Sequence, residues 1–507
     1  MKPSTDLFNL IKSLSKSEKR FFKLSSSLQS GEKNYLKLFD YIEKQPSYNE
    51  EKLKIIFEGE VFIKHLPSEK NHLYKLILKS LRMYYSDQSI GSVLSQDIKN
   101  IEILYKKALY KECEKFVSRS KNTAEKYEKF YYWYELINWE KKLIESSYES
   151  GVFSINIDDL VVEEEMVVAK LRNLAEYMVL YAKINLIFRS GGFTRSLEEE
   201  ERVAEIANNH LIKGKNTAIS SNAASICYYI KGLCAATTRN YSDSFKFFNR
   251  TKEILDDNPE VKLESSKRYV LAQFHLLRCY IDSNDFGKAE DLISEIRSLK
   301  SQKGFKTIDI SVQIFSNSYD QELCILHKKG EFEKSVELIS TIDKEQQLLK
   351  GKITKEMEIV LKYNKAYSYF GIGDFKTSLQ YINDVLNDNE SMLRQDIYSF
   401  SRLMNLIIHF ELENYDFLEY VIRSTNRYLS KQEREYKIEM LCIKHIRKLS
   451  KTNIEANQIE IFEKMKEEVN QLLQDHHECV ILEYFDLVSW IESKLKKKTF
   501  VEIVKVK

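Results

Sequence analysis

One short turn pattern returns along this chain at near-even spacing, and it constrains the fold more than any other feature. A Gly, Asn or Asp precedes an acidic or polar residue, then Phe or Tyr, with a small residue three positions on. It appears as Arg239-Asn240-Tyr241-Ser242-Asp243-Ser244 and as Asn284-Asp285-Phe286-Gly287-Lys288-Ala289. It returns as Gly330-Glu331-Phe332-Glu333-Lys334-Ser335 and Gly373-Asp374-Phe375-Lys376-Thr377-Ser378, with a weaker copy at Glu413-Asn414-Tyr415. The aromatics are spaced 45, 46, 43 and 40 residues apart. Ala108-Leu109-Tyr110 and Gly191-Gly192-Phe193 read as degenerate copies upstream. A period of this length marks repeated supersecondary units.

Between the turns, apolar residues recur with the helical period, as in Leu73, Leu76, Ile77, Leu81 and Tyr84. Strand-like alternation is confined to residues 499–507, which read as a strand or a frayed end. The chain is therefore expected to be all-α, each unit a helical hairpin. Gly330 and Gly373 end a first helix in the left-handed conformation. The aromatic fills the gap between helix ends, and the small residue lets the second helix approach the first. Tyr228 and Gly232, Tyr280, and Tyr369 are the corresponding anchors in the preceding helices.

These residues resemble the tetratricopeptide repeat. Tyr228, Gly232, Tyr241, Ser244 and Phe248 match its pattern position by position. Tyr280, Phe286 and Ala289 match in another copy. Tyr369, Gly373, Asp374, Phe375 and Ser378 match in a third, with Ile382 where an aromatic is usual. The units here are longer than the family's 34 residues, and the proline that closes a repeat is missing. The resemblance covers residues 100 to 430. It implies a right-handed superhelix (α-solenoid) of stacked, long-helix hairpins, a variant found in large scaffolds and some bacterial regulators. It also implies a concave face that binds peptides or protein segments.

Composition agrees. With 4 prolines and 14 glycines in 507 residues, the chain lacks the turn-formers of a many-stranded β-fold. Its hydrophobic share of 43% excludes wholesale disorder. The net charge of +2 creates no global field for nucleic acid or membrane. Seven cysteines without a C-x-x-C pair suit reduced, buried thiols. No signal peptide and no apolar run of membrane-spanning length is present, so a cytoplasmic location is expected.

Residues 1–100 lack the turn pattern and read as a separate N-terminal helical module. Residues 101–430 form the repeat array, and 431–507 are C-terminal helices capping it, with a basic tail. Capping boxes are read at Ser15–Glu18 and Ser47–Glu50, and Ser68 as the N-cap of a long helix to about Tyr85. That helix carries Lys70, Lys75, Lys79 and Arg82 near one side, after a short break, as in a helix-turn-helix. Residues 1–110 hold 19 basic and 13 acidic residues, a net of +6. Ordinary solvated lysines on a solenoid cap explain this basic helix more simply.

Asp475-His476-His477-Glu478-Cys479 is the densest set of metal-ligand types. On one helix (Glu478 to Lys498 reads as the last), two or three would share a face. No second ligand group is marked elsewhere, so an N-cap with a buried Cys479 is the simpler reading. The aromatic block Phe130–Tyr134, with Trp139, is assigned to interior packing. The acidic runs Glu163–Glu165 and Glu198–Glu201 are assigned to solvated helix faces. Phosphate-loop, dinucleotide, metalloprotease, EF-hand and nucleophile-elbow motifs are absent. The expectation is a non-catalytic scaffold or adaptor for a protein or peptide partner, without cofactor or metal. The alternative is a regulator whose basic N-terminal module binds DNA or RNA.

Overall fold

Left-handed backbone residues mark where each hairpin reverses. In the computed structural model, Ala108, Arg239, Asn284, Gly330, Gly373 and Glu413 all have φ between 56° and 82°. The next residue's N–H then reaches back five positions, closing a 2.8–3.0 Å bond to a carbonyl such as Ala235, Tyr280, Leu326, Tyr369 or His409. The left-handed residue's own N–H bonds three positions back, as Arg239 does to the Ala236 carbonyl, and the two bonds satisfy carbonyls that a helix end leaves open. The second residue of the pattern then caps the following helix. Asn240, Asp285 and Asp374 accept from the N–H groups of Asp243, Lys288 and Thr377.

The structure describes residues 4–27, 34–150, 156–194, 196–388, 393–430, 437–452 and 454–507. Among them every regular element is helical, and no helix is long and apolar enough to cross a membrane. The seven cysteines form no disulfide, and five are buried. Contacts divide the chain into Met1–Glu164 and Glu165–Lys507. The sequence boundaries at 100 and 430 do not coincide with this division.

The first unit holds α1 (Asp6–Ser13), α2 (Lys16–Ser27), α3 (Asn34–Lys44), α4 (Glu50–Ile56) and α5 (Leu66–Tyr84). Leu7, Ile11, Phe22, Leu38, Phe39, Leu73 and Ile77 meet in their core. The Ser15–Glu18 capping box forms, with Glu18 N–H on Ser15 Oγ and Ser15 N–H on Glu18 Oε2. The Ser47 box does not form, because Asn49 caps α4 by accepting from Lys52 N–H. Nor does Ser68 cap α5, which starts at Leu66 with Pro67 in its first turn. There follow α6 (Ile90–Lys106), α7 (Tyr110–Lys126) and α8 (Phe130–Ser150), each packed on the next. Phe130, Trp133 and Trp139 are buried, as the packing assignment requires, while Tyr131 is exposed. The division falls within α9 (Ile157–Gly191). Its Glu163 accepts from Lys121 and from the Trp133 indole N–H, and Glu164 pairs with Lys141, so this acidic run is partnered rather than merely solvated.

Past the remainder of α9, the second unit continues with α10 (Leu197–Ala207) and α11 (His210–Lys213). Then come α12 (Ser221–Thr237), α13 (Tyr241–Asp257), α14 (Pro259–Glu264), α15 (Ser266–Asp282) and α16 (Phe286–Ser298). They are followed by α17 (Ile308–Lys328), α18 (Phe332–Leu348), α19 (Lys355–Gly371) and α20 (Phe375–Leu386). The last pattern copy joins α21 (Gln395–Glu411) to α22 (Tyr415–Leu429), and α23 (Lys437–Leu449) and α24 (Glu455–Leu472) follow. Helices α12, α15, α17, α19 and α21 are the first helices of their hairpins. From α15 on, each packs against the next. The C-terminal segment departs from the expected single helix. A 3₁₀ stretch, Glu478–Glu483, leads to α25 (Leu487–Lys496) and α26 (Phe500–Val504). The strand reading of the tail fails, because Thr499 and Glu502 form a complete capping box that starts a helix there.

Candidate functional site

The pattern residues serve packing, and they do so unequally. Ser244, Ala289, Ser335 and Ser378 are all buried where the second helix meets the first. The buried hydroxyls are satisfied, as when Ser378 donates to the Ala366 carbonyl at 2.8 Å. Of the turn aromatics only Phe332 is fully buried, while Tyr241, Phe286, Phe375 and Tyr415 are half-buried, so the expected plug is complete at one turn. A side chain at Gly232 would bring its Cβ within 2.7 Å of the Phe248 ring. Gly371, which the pattern does not include, matters as much, since its Cβ would fall 2.0 Å from Phe332. Tyr228, Tyr280 and Tyr369 are half-buried and pack on Phe247, Phe245 and Tyr381.

On α5 the four basic residues separate into two kinds. Lys70 is held 2.8 Å from Glu50 and lies 4.9 Å from the Tyr48 ring centroid, tying α5 to α4. Lys75, Lys79 and Arg82 are exposed along one side and make no ion pair with another described residue.

The C-terminal segment forms a strap across the first helices. Glu483 accepts from Tyr241 at 3.0 Å and pairs with Arg278 and Arg239. Burial alone would raise its carboxyl, but Arg278, Lys328 and Arg239 outweigh burial and hold it below the usual range. Tyr484 donates to Asp396 at 2.6 Å and stacks on Phe400, and its carbonyl accepts from Tyr363. Phe485 and Phe500 meet Tyr367 and Phe370, and Trp490 donates to Glu411. Gly330 lies against the strap's end, where a Cβ would come within 2.7 Å of Lys505. Burying Phe485, Trp490 and Phe500 stabilises the unit by about 1.5–3 kcal/mol each. The strap therefore belongs to the core of the second unit.

Two further groups stand out on the second unit. Phe417 and Tyr420, one turn apart on α22, are 51% and 66% exposed with rings 5.3 Å apart. At the strap's root, His476 and His477 both reach Glu200 of α10, so the second acidic run is also partnered. Residues 475–477 lie in a turn, so no helix face gathers this cluster. Cys479 stays out of it, its thiol donating to the Leu473 carbonyl. No family model and no curated protein matches the chain.

Proposed function

We propose that the chain is a non-catalytic interaction scaffold, a right-handed superhelix of tetratricopeptide-like hairpins that binds a protein partner. The observation carrying this reading is the shared turn geometry of Ala108, Arg239, Asn284, Gly330, Gly373 and Glu413, one supersecondary unit used repeatedly. Because the strap lies across the first helices, the partner is assigned to the outer, second helices. Phe417 and Tyr420 are the anchor there, since exposed paired aromatics are what binding hot spots are made of.

Native capture of the full chain, with cross-linking mass spectrometry, tests this. The expected outcome is a stoichiometric protein partner that Phe417→Ala with Tyr420→Ala loses while the unfolding midpoint stays put. Undiminished capture by that variant, or no stoichiometric partner across growth conditions, rejects the reading.

The exposed Lys75, Lys79 and Arg82 stripe favours one second reading, nucleic-acid binding by the first unit. It predicts salt-sensitive binding to duplex DNA or RNA, lost when these three become Glu. No binding at low salt removes it.

A further inference from the structure

Glu200 lies 276 residues from His476 and 277 from His477 in sequence, yet the ligand atoms of the three sit within 4.8 Å of one another. His476 Nε2 is 2.7 Å and His477 Nε2 is 3.1 Å from the same oxygen, Glu200 Oε1. We propose that these three side chains form a binding site for a zinc-class divalent cation that clamps the root of the C-terminal strap to α10.

Consecutive residues on a helix diverge by about 100°, since a turn takes 3.6 residues. Here the chain is in a turn, and the two imidazoles instead lie side by side with centroids 4.0 Å apart. Two features hold that conformation. Asp475 Oδ1 accepts the His477 backbone N–H at 3.0 Å, closing a local turn. Arg239 Nη1 donates to the His476 carbonyl at 3.0 Å, fixing the peptide against the α12–α13 turn.

The donor set selects the ion. Two neutral imidazole nitrogens and one carboxylate suit zinc, copper or nickel and disfavour magnesium and calcium, which take oxygen ligands. Zinc bonds to such ligands of about 2.0–2.2 Å imply ligand-to-ligand edges of roughly 3.3 Å in a tetrahedron. The present separations from Glu200 are hydrogen-bonded and slightly shorter, so small side-chain rotations open the site. An outer carboxylate is also in place, with Asp475 Oδ1 3.5 Å from His477 Nδ1, on the ring edge away from the site. His476 is 62% exposed, which leaves an entry path and a fourth position for water. The site ties two segments 276 residues apart in sequence, and it adds to the scaffold reading without depending on it.

The test uses the full-length chain freed of metal by a chelator. Titration with Zn²⁺ should show one ion per chain, and Co²⁺ should give the visible absorption of a four-coordinate site. Bound Zn²⁺ should raise the unfolding midpoint and slow amide exchange in residues 474–483 and α10. Affinity should fall at least tenfold in His476→Ala and in Glu200→Gln, and stay unchanged in Glu198→Gln, with Mg²⁺ not competing. His476 is exposed, so its variant keeps the fold, which circular dichroism verifies. Absence of stoichiometric Zn²⁺ binding overturns the proposal. So does binding that survives His476→Ala and Glu200→Gln undiminished, which would place the ion elsewhere.

Discussion

Phe332 and Phe375 hold the same place in the turn pattern, yet the molecule uses them differently. Phe332 is fully buried against Gly371, Tyr367 and Phe500, whereas Phe375 is half-buried beside Phe370. Phe332→Ala is expected to cost about 3–5 kcal/mol and Phe375→Ala about half that, measured by urea unfolding. Equal losses would mean that the turns are packed alike. The sequence pattern cannot separate the two, because burial of Phe332 depends on Gly371 and on the strap. His327 shows a second effect invisible in a local pattern. It stacks on Phe332, and its Nε2 lies 2.7 Å from Ser368 Oγ. Burial pushes its pKa down to about 3, and that of His275, stacked on Phe248, down to about 4. Both are neutral in the fold and take up a proton in the unfolded chain below about 6.5. Their contribution is therefore complete above pH 6.5 and is lost as pH falls toward 4, at about 1.4 kcal/mol per pH unit for each. Urea unfolding at pH 7.5, 5.5 and 4.5 should show this slope, and His327→Gln should flatten it. An unchanged slope in that variant removes His327 as the cause.

At the scale of the hairpin, much was legible because the signal is local. The capping Asn240, Asp285 and Asp374 and the small Ser244, Ala289, Ser335 and Ser378 must be polar or small wherever the turn is built this way. What the pattern obscured is that the left-handed position tolerates other residues. Arg239, Glu413 and Ala108 occupy it as well as Asn284, Gly330 and Gly373. A Cβ in that conformation costs about 1 kcal/mol, which the two closing hydrogen bonds and the flanking helices absorb. Glu413 at φ 56° is exposed, so it offers a clean test. Glu413→Gly should raise stability by about 0.5 kcal/mol, as relief of strain exceeds the added freedom of the unfolded chain. A loss of stability would show that Glu413 contributes through its side chain. The opposite change at Gly373→Ala, with φ 82° and open space around it, should destabilise through backbone strain alone.

At the scale of the second unit, the placement of the C-terminal segment was not legible. Helical periodicity says which face of a helix is apolar but not which distant helix covers it. Glu483 meets Arg278 across 205 residues, and Tyr484 meets Asp396 across 88. Nor did spacing point to Glu200 as the partner of His476, since their link exists only once the strap is in place. The consequence is cooperative. Val480, Ile481, Phe485, Leu487, Trp490 and Ile491 share one buried cluster with Phe332, Phe370, Phe400 and Leu418. Glu483→Ala leaves Arg239 without its carboxylate and Arg278 with Asp282 alone, all mostly buried, at a cost of about 3 kcal/mol. Because the cluster is shared, that loss should lower a single transition, with amide exchange rising together in residues 478–504, α19 and α21. Glu492 pairs with Lys466 and Lys496 at the surface, so Glu492→Ala should change stability by less than about 1 kcal/mol. Fast exchange of the strap in Glu483→Ala, with α19 and α21 still protected, would show instead a separable segment seated on an independent stack. The first-helix face would then be open to a competing chain, and the partner would be sought there rather than at Phe417 and Tyr420.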